Sequence, residues 1–441
     1  MASGFLDALF RRPQRLVMLV IVFLFVLTFS TYVSFSANGA QNVRDRWNSL
    51  PTFSSPWQTA NKGAASSFPP PSSVADMYTH NPGTPSSVDE LTKWAQVGDD
   101  GNLYPPTFIP QMANQAPRAK AGFTVLVRNS ELQSMRESMR DVEEKFNRKY
   151  GYPWIFLNNE PFTDEFKRGV QQMTRSQCRF GLIPKEHWGY PDYISQEKAA
   201  ETRVKMKDII YGSSESYRHM CRYQSGFFFR HELTQDLDYY WRVEPGIKLY
   251  CDLDYDPFVF MQMNNKSYGF TMALYEYYET VPTLWEQTQK FFSAHPDYLA
   301  KDASVHFISD DQGKKGKLPA EFSWNRCHMW SNFEIGDLRL WRSQQYLEYF
   351  DWLDKAGGFF YERWGDAPVH SIAVSLLLDH SRLHHFDDIG YFHNPWNHCP
   401  TNRKKYHDTG RCNCDPKQSF DREDYSCIPK WWAGAVEGEP K

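Results

Sequence analysis

The sequence predicts a single α/β domain built on a mixed central sheet, preceded by a membrane anchor and a long stem. Three observations carry that reading: an uncharged apolar run near the amino terminus, a Pro- and Ser-rich stretch after it, and a succession of strand and helix patterns from Ala121 onward.

The apolar run LVMLVIVFLFVLTFSTYV, residues 16–33, follows Arg11, Arg12 and Arg15. It approaches the roughly 20 residues that a helix needs to cross a bilayer. Arginines on its amino-terminal side predict a cytosolic tail, 1–15, with the remainder of the chain lumenal. A cleaved signal peptide is the rival reading, since small residues surround Ala37 and Ala40. The run is nevertheless longer than the roughly 7–15 residues of a signal-peptide core. Residues 34–118, with FPPPSS at 68–73 and NPGTPSS at 81–87, have no sustained hydrophobic period and predict a flexible stem. The folded domain is then 119–441.

Within it, GFTVLVR (122–128) reads as a strand and NSELQSMRESMRDVEEKFNRKY (129–150) as a helix, with Leu132, Met135, Met139, Val142 and Phe146 on one face. YPWIFLN (152–158) is a second strand, which completes a βαβ unit and implies a parallel pair with a right-handed crossover. Such units open many nucleotide-binding domains, although no glycine-rich phosphate loop is present. Arg128 stands at the carboxyl end of the first strand, where ligands of open α/β sheets lie; a surface arginine is the alternative. Farther on, RFGLIP (179–184), DYYWRV (238–243), YGFTMAL (268–274) and HMWSNFEI (328–335) read as strands. Segments 199–212, 281–295 and 338–353 read as helices, the first extending toward Phe229.

With 441 residues, 41% of them hydrophobic and 16% aromatic, the chain buries a sizeable core. Its formal charge of −4 lacks the basic excess of a nucleic-acid binder. All eight cysteines lie beyond residue 177, and an even number in an oxidising compartment reads as disulfides. A zinc site at Cys399, Cys412, Cys414 and Cys427 is the rival, although Cys-x-Cys lacks the usual spacing. Asn265-Lys266-Ser267 is a glycosylation sequon.

Residues 241–258, WRVEPGIKLYCDLDYDPF, contain two candidate acidic sites. Glu244 stands where a buried strand meets a Pro-Gly turn, just outside its carboxyl end. Asp252 and Asp254 share one strand face and offer paired oxygen ligands for Mg²⁺ or Mn²⁺, with a solvated strand face as the plain alternative. Residue types alone do not separate the two.

Three long blocks do: YRHMCRYQSGFFFRHELTQDLDYYWRVEPGIKLYCDLDYDPF (217–258), MWSNFEIGDLRLWRSQQYLEYFDWLDKAGGFFYERWGDAPVHSIAV (329–374) and HHFDDIGYFHNPWNHCP (384–400). In order and spacing the chain resembles the fungal α-1,2-mannosyltransferases of glycosyltransferase family 15. The resemblance implies a GT-A-like fold and a single-pass type II enzyme of the Golgi membrane. It implies retaining transfer of mannose from GDP-mannose, with Mn²⁺, to mannose-terminated O- or N-linked glycans of glycoproteins. Association with other Golgi glycosyltransferases is a further partner expectation.

It also implies roles. Glu244 becomes the metal-site carboxylate, its Glu-Pro-Gly element replacing the Asp-x-Asp of many GT-A enzymes, and His393 of IGYFHNP becomes the second metal ligand. Phe392 departs from the pattern, since relatives can carry another histidine there. Tyr217 falls near the donor, with Arg218 and Arg222 of the same helix as phosphate-binding candidates, or as surface salt bridges. Glu334 in NFEIGD matches the family's nucleophile or oxocarbenium stabiliser, the covalent and front-face routes both being open. Asp366 in ERWGDAPVH is the acceptor-side carboxylate, or a helix N-cap. Aromatics in YERW (361–364) line an acceptor groove or belong to the core. A retaining glycoside hydrolase and a mannose-binding lectin are the rival functions.

Overall fold

The computed structural model describes residues 87–106, 117–311 and 319–434. The tail and anchor expected at 1–33, and the stem up to residue 86, lie outside the described residues. Among the described residues no helix is long and apolar enough to cross a membrane.

Residues 88–106, which the sequence assigns to the stem, are packed. A short helix, Val88–Leu91, precedes a hairpin of β1 (Gln96–Val97) and β2 (Leu103–Tyr104). Val88 and Leu91 bury against Val259. Leu103 N–H donates to Asn264 Oδ1 at 2.8 Å, and Asn264 Nδ2 donates back to the Leu103 carbonyl at 2.7 Å. Tyr104 lies against the rings of Tyr255 and Phe260. Elements this short leave no hydrophobic period to read.

The sheet strands that follow are β3 (Ala121–Leu126), β4 (Trp154–Asn158), β5 (Cys178–Leu182) and β6 (Tyr239–Arg242). Next come β7 (Lys248–Leu249), β8 (Tyr268–Phe270), β9 (Ala273–Tyr275), β10 (Cys327–Met329) and β11 (Glu334–Asp337). Last are β12 (Leu383–His385), β13 (Tyr391–His393) and β14 (Trp396–His398). Seven of them form one mixed sheet in the order β12-β8-β11-β6-β3-β4-β5. Strands β6, β3, β4 and β5 run parallel, whereas β11 is antiparallel to β6 and to β8. The sheet buries both faces, which is why DYYWRV reads as continuous hydrophobicity. One apolar cluster contains Phe123, Trp154 and Trp241, the other Tyr240, Trp341 and Val374.

Several expected elements divide. The helix expected over 199–212 ends at Lys205, and a separate helix, Glu215–Gly226, starts at Ser214, whose hydroxyl accepts from Tyr217 N–H. YGFTMAL supplies both β8 and β9, and HMWSNFEI both β10 and β11. Each breaks where the chain leaves the main sheet for the β9–β10 ladder.

A second, small sheet pairs β7 with β13 and β13 with β14, with Phe392 opposite Lys248. It brings the Gly-Tyr-Phe-His block beside the Glu-Pro-Gly turn. Three disulfides fasten the carboxyl-terminal segment: Cys251–Cys412, Cys327–Cys427 and Cys399–Cys414. These pairs consume the cysteines of the zinc alternative. Cys178 and Cys221 are free, so the expectation that all eight pair is corrected.

His398 of β14 is buried between two acceptors, with Nδ1 2.7 Å from Asp421 Oδ2 and Nε2 donating to the Asp387 carbonyl at 2.8 Å. Burial disfavours the imidazolium, but Asp421 outweighs it and lifts the pKa from 6.5 to about 9. A folded-state pKa above the unfolded one stabilises the fold fully below the unfolded value. That contribution is lost as pH rises through about 9. Between pH 6.5 and 9 the wild-type unfolding free energy should therefore fall more than that of His398→Gln, by a difference on the order of 2 kcal/mol. Parallel pH profiles of the two proteins check this.

Candidate active site

A cleft of about 350 Å³ opens at the carboxyl ends of β3, β4 and β6. Its lining includes Arg128 after β3, Asn158 of β4, and Arg242 and Glu244 at the end of β6. The helix Glu215–Gly226 contributes Tyr217, Met220 and Gln224, and β13 contributes His393.

The Glu-Pro-Gly turn is held from beneath. Gly246 adopts φ +87°, a left-handed conformation suited to glycine. The N–H groups of Gly246 and Ile247 both donate to Ser138 Oγ, at 2.8 and 3.1 Å. This fixes Glu244 at the cleft, and His393 Nε2 stands 3.3 Å from its Oε2, each side chain 26% exposed. Trp330 packs edge-on against the His393 ring.

Behind Glu244 lies Arg242, 5% exposed, which three carboxylates share. Its Nε donates to Glu244 Oε1 at 3.0 Å, and Nη1 faces Asp366 Oδ2 at 2.5 Å and Glu334 Oε1 at 3.4 Å. The antiparallel register of β11 on β6 puts Glu334 directly opposite Arg242. Asp366 opens the helix Asp366–Leu377 and also accepts from Ser331 Oγ at 2.7 Å. The N-cap of that helix is Gly365, which sets aside the capping alternative for Asp366. Burial raises the Glu244 carboxyl, but Arg242 and His393 overcome it and hold it at about 2. Asp366 is likewise pushed up by burial and brought below its ordinary value by Arg242 and His370.

His370 completes the group. Its Nδ1 is 2.8 Å from Glu334 Oε2 and its Nε2 3.1 Å from the Gln224 carbonyl. The fully buried His370 ties the helix Glu215–Gly226 to β11.

The family model described as glycolipid 2-alpha-mannosyltransferase matches residues 88–435. The chain belongs to this family. It is 53% identical over 340 residues to glycolipid 2-alpha-mannosyltransferase 1 of Candida albicans, covering 77% of each chain. It is 51% identical over 342 residues to alpha-1,2 mannosyltransferase KTR1 of Saccharomyces cerevisiae, covering 77% of this chain and 85% of the other. Among solved structures it is similar to core-mannan synthase A from Aspergillus fumigatus in a Mn/GDP form. The identity there is 41%, the TM-score 0.67, and the match covers 74% of this chain and 87% of that one. The mixed α/β glycosyltransferase fold is thus shown.

Set against the residues expected of a family 15 transferase, the structure brings Arg128, Tyr217, Glu244 and His393 to one cleft. Arg128 is exposed, and its Nη2 donates to Ser216 Oγ at 3.1 Å. Tyr217 stacks on Tyr211 with centroids 4.6 Å apart, and the Arg363 guanidinium lies 5.4 Å from its ring. Glu334 and Asp366 are buried behind the wall, where Arg242 links both to the cleft.

Arg218 and Arg222 do not reach the cleft. On this helix Tyr217, Met220 and Gln224 share the face toward it, and positions one residue later turn inward. Arg218 is fully buried and donates to the carbonyls of Gly212, Ser214 and Glu362. Burial and the nearby Arg203 lower its pKa to about 10. Arg222 forms a two-pronged pair with Asp354, at 2.7 and 2.8 Å. The rival acidic pair also falls elsewhere: Asp252 lies 3.0 Å from Lys145 and Asp254 4.0 Å from Lys149, each about half exposed. Trp364 of the YERW segment belongs to the core.

Sequence reasoning missed Arg242 and His370, both of which sit inside apolar runs. The signal was an arginine in a strand buried on both faces, which demands an acidic partner. Arg242→Met should leave Glu334 and Asp366 buried without their cation and destabilise the fold by about 3–5 kcal/mol. Equilibrium urea unfolding measures that loss.

Proposed function

We propose that this cleft binds GDP-mannose with Mn²⁺ and transfers mannose, with retention, to the 2-hydroxyl of mannose-terminated O- or N-linked glycans. The observation that carries the reading is the convergence of Glu244 and His393 at the carboxyl end of β6, backed by Arg242. The printed activities of the relatives support the sugar and the linkage. The Mn/GDP form of core-mannan synthase A supports the cation and the nucleotide.

The donor set fits the metal. One carboxylate oxygen and one imidazole nitrogen, both partly exposed, suit Mn²⁺ better than Ca²⁺, which favours an all-oxygen shell. When bound, the cation supplies Lewis-acid stabilisation of the charge that grows on the departing diphosphate. Glu244 is fully ionised near neutral pH, because Arg242 and His393 hold its pKa at about 2, so it is ready to bind a cation. Arg128, exposed at the mouth, pairs with diphosphate oxygens, and Tyr217 forms the wall against which the sugar nucleotide lies.

At the anomeric centre, Arg242 brings three carboxylates to one point, more negative charge than its single positive charge cancels. A fixed negative field of this kind stabilises an oxocarbenium-like transition state. Glu334 and Asp366 act through that field. Asp366, with its pKa held down by Arg242, is a weak proton acceptor.

The glycosidase alternative requires two carboxyls flanking an open bond-cleavage site. Here the two candidates are 1% and 5% exposed and bound to the same arginine nitrogen. The same reading gives the chain a type II topology in the Golgi membrane, with the anchor at 16–33, and three disulfides suit an oxidising lumen.

With GDP-mannose and α-methyl mannoside, the full-length protein should form α-1,2-linked product only with Mn²⁺. Glu244→Ala and His393→Ala should each lower kcat/KM by about 100-fold or more, while Asp252→Ala stays near wild type. A dead Asp252→Ala beside an active Glu244→Ala would move the metal to the other acidic pair. Absence of any mannosyl product with wild type would return the lectin reading.

A further inference from the structure

A second groove, of about 390 Å³, lies next to the cleft and takes no part in the arrangement above. Its lining includes Glu276, Tyr277, Tyr278, Glu279, Arg326 and Tyr425. Tyr277 and Tyr278 are 47% and 58% exposed, high for rings of this size. Tyr277 and Tyr425 stand with centroids 6.0 Å apart and planes inclined by 40°, so they present ring faces rather than a closed stack.

The floor is rigid. Glu276 N–H donates to the Arg326 carbonyl at 2.9 Å, continuing the β9–β10 ladder, and Cys327 of β10 is disulfide-bonded to Cys427. Arg326 holds φ at +71°, a left-handed conformation that non-glycine residues seldom adopt and that clusters at functional sites. Among the described residues neither the Arg326 guanidinium nor the Glu279 carboxylate forms an ion pair. A rigid floor, displayed ring faces and uncommitted hydrogen-bonding groups fit a flat, hydroxyl-rich ligand.

The groove and the cleft approach each other on either side of the buried Arg363. Glu276 Oε1 meets Arg363 Nη2 at 3.4 Å, and the same guanidinium lies over Tyr217 of the cleft wall. Arg363 N–H also donates to the Thr280 carbonyl at 3.1 Å. A Cβ built on Gly365, the residue before Asp366, would stand 3.6 Å from the Glu276 carboxylate. A chain of sugars whose end lies in the cleft beside Tyr217 would reach the tyrosines across Arg363.

We propose that this groove is an extended acceptor subsite for an α-linked oligomannoside, holding the sugar units that precede the mannose being elongated. The proposal rests on the acceptor being a mannose-terminated glycan. Tyr277 and Tyr278 cover the apolar faces of the distal sugars, and Glu279 and Arg326 bind their hydroxyls. The site sets a preference for longer acceptors and leaves the metal and donor untouched.

The test compares kcat/KM for an α-1,2-linked mannotriose with that for methyl α-mannoside, in the full-length wild type and in Tyr277→Ala/Tyr278→Ala. Both residues are exposed, so the pair should fold normally. The trisaccharide-to-monosaccharide ratio should drop about 10-fold, equivalent to about 1.4 kcal/mol. Arg326→Ala should lower the same ratio. An unchanged ratio overturns the proposal, whatever happens to the absolute rates. Calorimetric titration of mannotriose into both proteins without donor separates the two readings. If wild type transfers nothing yet binds mannotriose and the double variant does not, the groove stands while the activity falls; equal binding by both overturns the groove.

Discussion

The site depends on one buried guanidinium. Arg242 sits on a strand enclosed on both faces, where a lone cation is strongly disfavoured. Its burial is tolerated because carboxylates arrive from three separate parts of the chain: Glu244 from its own turn, Glu334 from the antiparallel neighbour and Asp366 from a helix start. Each acid is correspondingly held in one orientation. Networks of this kind contribute little net stability compared with a packed apolar core. What the arrangement supplies is a defined electrostatic field at the carboxyl end of the sheet, with reactive groups that need little rearrangement to work.

The fold divides support from contact. Strands β6 and β11 and the helix Asp366–Leu377 hold the charge network, whereas the loops after β3 and β6, together with β13, line the cleft. Ser138, on the helix of the first βαβ unit, joins the two layers by accepting both turn N–H groups. Displacing that helix would move Glu244 through its turn alone.

Long apolar runs made the βαβ start, the central strand and the Glu-Pro-Gly position legible. The family blocks added His393, which no spacing rule could have joined to Glu244. Helical phase explains the failure at Arg218 and Arg222: both lie in a basic, aromatic segment, yet one step of about 100° from Tyr217 and two steps from Met220 turn their side chains to the interior. Arg242 and His370 escaped notice for the opposite reason, since polar residues within apolar runs look like interruptions until their partners are seen. The hairpin at 96–104 was illegible because its stability comes from Asn264 and Tyr255, far along the chain, and not from its own residues.

The pairing of β7 with β13 has a consequence for biosynthesis. Glu244 is made in the middle of the chain and His393 near its end, and the strand that brings them together is followed by a disulfide-fastened segment. A nascent chain already carrying the whole parallel half of the sheet still has no complete site. The two side chains can therefore meet only after synthesis is finished and the carboxyl-terminal segment has folded and been fastened in place.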